Sequence, residues 1–104
     1  MTKQELLDVL KMDEQEQLQW LCCRAYKSHS LPKYIIPEVL AFSLRDKAVE
    51  KDEIEYGFAT MAVFGEKCKI EKISDTYGAF CRWLKHKITP IEIIIASLIV
   101  LEAK

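Results

Sequence analysis

Three glycines and three prolines in 104 residues leave few places for a sharp turn. Few breaks mean long elements, with no low-complexity tract or linker dividing the chain into two halves. Histidine is scarcer still, at two residues. A Ser, Cys or Thr nucleophile needs a base within hydrogen-bond reach, and neither His29 nor His86 lies in a recognisable catalytic motif. Gly57, Gly65 and Gly78 are isolated, so no phosphate-cradling loop is present. No catalytic residue is therefore assigned, and enzymatic activity is not expected.

Charge of a single sign is also missing. Residues 1–52 carry eight basic and nine acidic side chains, residues 53–104 seven of each, and the net charge is -1. Neither half has the surplus that broad phosphate binding requires. The N-terminus "MTKQELLDVL" lacks the uninterrupted apolar run of a secretory signal, so a cytoplasmic address is expected, where Cys22, Cys23, Cys68 and Cys81 would be thiols. Zinc ligands come in pairs two to four residues apart. Cys22 and Cys23 are adjacent, and Cys81 and His86 are five apart. No metal or cofactor is expected.

The residues that are present read as helices. Thr2 with Glu5 makes a capping box for a helix of about 3–11, and Asp13 with Glu16 caps a second of about 14–28. Their apolar faces are Leu6, Leu7 and Leu10, then Leu18, Leu21, Cys22 and Ala25. "SHSLPKYIIP" breaks the pattern, and Pro37 suits a first helical position, with Leu40, Leu44, Ala48 and Val49 on one face to about residue 50. Asp52 is placed to cap a helix of about 53–64, with Ile54, Phe58, Met61 and Ala62 on one side, Tyr56, Val63 and Phe64 on others, and Gly65 as its stop. "EKCKIEKI" reads as a short strand or an irregular connection. Ser74 is placed to cap a fifth helix burying Tyr77, Phe80, Cys81 and Leu84.

Near the C-terminus, Thr89, Pro90 and Glu92 give a cap, a pre-set first-turn residue and a capping-box acid in succession, a specific start signal. The Ile- and Val-rich run that follows would suit a strand by propensity, but it exceeds ordinary strand length, so a helix is expected. Glu92 and Glu102 bracket it at well under a membrane-spanning length, and no basic face opposes its apolar sides, so no membrane role is expected.

Trp20 and Trp83 each fall off the principal apolar stripe of their helix. Either those helices are buried over wide arcs, or a tryptophan reaches the surface, where exposed aromatics anchor partners. "FCRWLKHK", with Arg82, Lys85 and Lys87 around Trp83, is the best local case for a nucleic-acid contact. The acidic cluster "EKDEIE" at 50–55 suits a helix start.

The stretch "YGAFCRWLKHKITPIEIIIASLIVL", Tyr77 to Leu101, resembles the opening of a cyclin box, in which a helix, a short turn and a second apolar helix end near a leucine-rich "SLxYL" pattern. Ser97, Leu98 and Leu101 match that pattern, while Val100 stands in place of its tyrosine. The resemblance covers about a quarter of the chain. It implies a helical regulator that docks on a kinase or a similar enzyme.

Taken together, an all-α, single-domain chain over 1–104 is expected, an irregular bundle of five or six helices with those near 53–64 and 90–103 at its centre. Its expected role is protein–protein contact, as an inhibitor, adaptor or assembly subunit, through the partner-binding residues Trp20 and Trp83 and part of the C-terminal helix. A nucleic-acid regulator using Arg82, Lys85, Lys87 and Lys33 is the alternative, and homo-oligomerisation is compatible with both.

Overall fold

The computed structural model describes residues 2–21 and 37–103. Six α-helices account for most of them, and there is no strand among the described residues. They are α1 (Lys3–Asp8), α2 (Glu14–Trp20), α3 (Pro37–Lys51), α4 (Glu53–Glu71), α5 (Tyr77–Arg82) and α6 (Pro90–Leu101). A 3-10 turn, Val9–Lys11, joins α1 to α2, and a π-helical turn, Trp83–Lys87, extends α5. The all-α bundle is as expected.

The helix starts follow the cap residues. Thr2 Oγ1 accepts from the Glu5 N–H at 3.1 Å, an Asp13 carboxylate oxygen from the Glu16 N–H at 2.8 Å, and one of Asp52 from the Glu55 N–H at 3.0 Å. Each satisfies a donor that the first helical turn would otherwise leave without a partner. The fifth start is displaced from Ser74 to Thr76, whose Oγ1 accepts from the Ala79 N–H at 3.2 Å.

One core gathers these elements. Helix α6 packs most extensively on α3, next on α4, and also on α1. Ile94, Ile95 and Leu98 are fully enclosed, against Leu40 and Leu44 of α3, Val63 of α4 and Leu6 of α1. The C-terminal helix is thus the centre of the molecule, as its composition suggests for a helix apolar on nearly all sides.

Three expectations are corrected. Helix α4 does not stop at Gly65 but runs to Glu71, taking in most of "EKCKIEKI". Lys72 ends it by adopting the left-handed conformation, φ 56°, while the Ile73 N–H bonds back to the Cys68 carbonyl at 3.1 Å. A mid-helix glycine costs only about 1 kcal/mol, which flanking turns readily outweigh. Second, Ile54, Phe58 and Met61 face outward, because Ala59, Thr60, Val63, Phe64 and Cys68 form the buried side of α4. Third, Tyr77, Cys81 and Leu84 are exposed on α5 and its extension. The packed side there is Ala79, Phe80 and Trp83. On α2, Leu21 is buried but Leu18 is half exposed. Residues 22–28 of the second expected helix lie outside the described residues, as do Cys22, Cys23, His29 and Lys33.

Candidate docking groove and the Glu92 network

The groove is organised around a buried acid. Thr89 and Glu92 form the expected capping box: the Thr89 N–H donates to Glu92 Oε1 at 3.1 Å, and Thr89 Oγ1 accepts from the Glu92 N–H at 3.4 Å. The same Oε1 also receives the Thr89 hydroxyl at 2.7 Å and Lys67 Nζ at 3.2 Å, while Oε2 receives the Trp83 indole N–H at 2.7 Å. Glu92 is 3% exposed, and this set of donors is what a carboxylate in such a place needs.

The π-helical turn begins at Trp83 and leads the chain to the Thr89 cap of α6. The Ile88 N–H bonds to the Trp83 carbonyl at 2.8 Å, five residues back rather than four. Trp83 itself follows Ala79 and Phe80 on one ordinary helical face, its N–H bonding to the Ala79 carbonyl, and is only 2% exposed, with its ring 5.2 Å from that of Phe64. Phe80 completes the cluster, edge-on to Phe64 at 5.3 Å. Trp83 therefore presents no surface to a partner; its polar edge is spent on Glu92 and its rings on the core. Trp20, by contrast, is half-buried against the core.

Arg82, Lys85, His86 and Lys87 are all exposed, and none forms an ion pair among the described residues. The structure thus brings three of the expected partner-contact residues, Arg82, Lys85 and Lys87, to one surface turn, with Trp83 beneath them and Trp20 on a separate helix.

Beside the network lies a groove of about 470 Å³ between α2, the start of α3, the end of α4 and the start of α6. Leu10, Leu18, Leu21, Ile70 and Ile91 give it an apolar floor. Glu14, Glu38 and Glu71 stand on its rim, and Lys67, tied to Glu92 at 3.2 Å and to Glu71 at 3.9 Å, is the cation among its described lining residues. Sequence reading found Glu92 as a cap but not as the acceptor for Lys67 and Trp83. Helical spacing puts Leu18 on the buried face of α2, whereas it is half exposed, so the groove itself leaves no signal beyond a leucine at that spacing.

The four acids of "EKDEIE" sit at the junction of α3 and α4, where Asp52 is a cap and Glu50, Glu53 and Glu55 are exposed. Among the described residues no three His, Cys, Asp or Glu side chains are grouped to hold a metal ion. Cys68 is buried and Cys81 exposed. Burial, reinforced by the negative charges of Asp75 and Glu71, pushes the Cys68 thiol up from its ordinary pKa. No helix among the described residues is long and apolar enough to cross a membrane. Comparison with protein families, characterised proteins and solved structures found no match.

Proposed function

We propose that this chain is a non-catalytic protein–protein interaction module of the cytoplasm, an inhibitor, adaptor or assembly subunit, and that its docking surface is the groove between α2, α4 and α6. The observation that carries this reading is the combination of an apolar floor with a rim of three carboxylates, Glu14, Glu38 and Glu71. Such a surface complements a polypeptide segment whose apolar side chains are flanked by Lys or Arg: burial supplies affinity while opposite charges set orientation and on-rate. Lys67, held by Glu92, gives the groove a fixed cation and so a preferred direction for the partner.

Capture from the host's own lysate tests this when native protein is compared with Ile70→Asp and with Glu14→Lys/Glu71→Lys. A near-stoichiometric polypeptide with a basic, apolar segment should be retained by the native chain, lost on either groove variant and weakened by salt. A partner retained equally by all three overturns the assignment of the groove.

A second reading rests on the exposed cluster Arg82, Lys85 and Lys87, whose charges are available to phosphates. Because Trp83 is enclosed, this surface has lost its stacking platform, and nucleic-acid binding would depend on charge alone. Binding to mixed DNA or RNA at low salt that falls steeply as salt rises, and that is lost in Arg82→Ala/Lys85→Ala/Lys87→Ala, would favour it.

A further inference from the structure

The outward side of α4 is unlike an ordinary solvated helix face. Ile54, Phe58 and Met61 are 71%, 59% and 56% exposed and follow one another at spacings of four and three, so they form a single stripe. Both glycines of the helix, Gly57 and Gly65, border or continue that stripe, and a Cβ added at either would meet nothing within 4 Å. Neither position has a turn or a positive φ to explain it. A glycine inside a helix is unfavourable relative to alanine, and nothing among the described residues requires these two. What a missing side chain offers on an exposed apolar face is close approach of another backbone.

We propose that the stripe on α4 is where two copies of this chain pair, antiparallel, about a two-fold axis near Met61. Charge distribution selects both the occupant and the direction. Along one edge of the stripe the seven-residue repeat is Glu55, Ala62 and Lys69, acidic at one end and basic at the other. Asp52 and Glu53 add to the acidic end against Lys51, while Lys72 and Glu71 offset each other at the other end, so the polarity of the edge rests on Glu55 and Lys69. A copy related by a two-fold axis perpendicular to the helix presents the same edge reversed, so Glu55 faces Lys69 of the second copy twice per dimer. In the same register Gly57 lies opposite Gly65, and Phe58 falls beside Ala62 and Gly65. There a recess of about 530 Å³ opens between α4 and α1, lined by Leu7, Ala62, Gly65 and Lys69 among others. Among the described residues Lys69 pairs with Glu66 at 3.9 Å, a long contact made by a lysine side chain that is itself 80% exposed and so free to turn to a second copy.

This surface stands apart from the groove. Met61 and Ile70 are nine residues apart, two and a half turns, and so point in opposite directions. Self-association thus leaves the groove open, and failure of either reading says nothing about the other.

Light scattering of the full chain from about 1 µM to about 1 mM tests the pairing. The native protein should pass from monomer to dimer within that range, and Phe58→Asp should stay monomeric with an unchanged helical circular-dichroism spectrum. Glu55→Lys and Lys69→Glu touch no core residue. Each alone should weaken the dimer about tenfold, since two opposite-charge pairs become like-charge pairs. Mixed together, the two variants should restore native affinity, because only the mixed antiparallel dimer matches every charge. A native chain that remains monomeric, a dimer indifferent to Phe58→Asp, or a mixture no tighter than its components would each overturn the proposal.

Discussion

At the scale of single residues, Glu92 makes four hydrogen bonds through its carboxylate and caps α6 at the same time, so its loss should be felt at several places. Glu92→Ala strands the indole N–H of an enclosed tryptophan and removes the partner of Lys67. We expect a loss of about 3 kcal/mol in urea unfolding, in the range for breaking a buried charged hydrogen-bond set. Trp83→Phe keeps the aromatic cluster with Phe64 and Phe80 but removes the donor. It should cost about 2 kcal/mol, and most of that difference should vanish in a Glu92→Gln background if the bond to the charged carboxylate is the cause. The two described thiols offer an independent check. In a chain with Cys22 and Cys23 replaced by serine, a maleimide at neutral pH should modify Cys81 promptly. Cys68, shielded and with its pKa pushed up by burial, should react only on unfolding.

At the scale of elements, the end of α4 carries a testable strain. Lys72 adopts φ 56°, a conformation that costs a residue with a Cβ about 1 kcal/mol and glycine almost nothing. Lys72→Gly should therefore raise the thermal midpoint by a few degrees, corresponding to about 1 kcal/mol; an unchanged or lowered midpoint would mean that the lysine side chain supports the cap. This stop is also why sequence reading misplaced the end of the helix. A left-handed lysine leaves no mark, whereas Gly65, in the middle of the helix, carries a false one. Starts were legible because a cap is a local matter between residues three apart, as Thr2, Asp13, Asp52 and Thr89 show. The sidedness of α4 was not, because Ile54, Phe58 and Met61 are as apolar as Val63 and Phe64, and periodicity cannot say which of two apolar sides meets the core. The burial of Trp83 was hidden in the same way: Ala79, Phe80 and Trp83 share one face at ordinary helical spacing, but so do Tyr77, Cys81 and Leu84, and periodicity alone cannot choose between the two sides.

At the scale of the whole molecule, the architecture is a set of helices around α6, so removing volume from α6 should destabilise all of them together. Ile94→Ala, at a position with no exposure, should cost about 2–5 kcal/mol and lower the unfolding midpoint without broadening the transition. The same convergence gives an alkaline sensitivity centred on Tyr56, a residue of α4 that is half-buried where α4 meets α3 and α6. Burial raises its phenol pKa above the ordinary 10.0, opposed in part by hydrogen bonding to Thr60 and Ser97 and by the charge of Arg45. The folded protein therefore holds the phenol proton more tightly than the unfolded chain does. The stability linked to the neutral phenol is complete below the ordinary pKa and is lost as pH rises toward the folded one. Other tyrosines and the lysines titrate in the same range, so the slope for the native protein alone is not diagnostic. The comparison that isolates the effect is with Tyr56→Phe, which keeps the ring and removes the ionisable group. As pH rises through the ordinary phenol pKa of 10.0 the native midpoint should fall more steeply than that of the variant, with the two curves running parallel at lower pH. Parallel curves throughout would mean that the Tyr56 hydroxyl ionises as easily in the folded molecule as in water, and that the junction of α3, α4 and α6 is open to solvent.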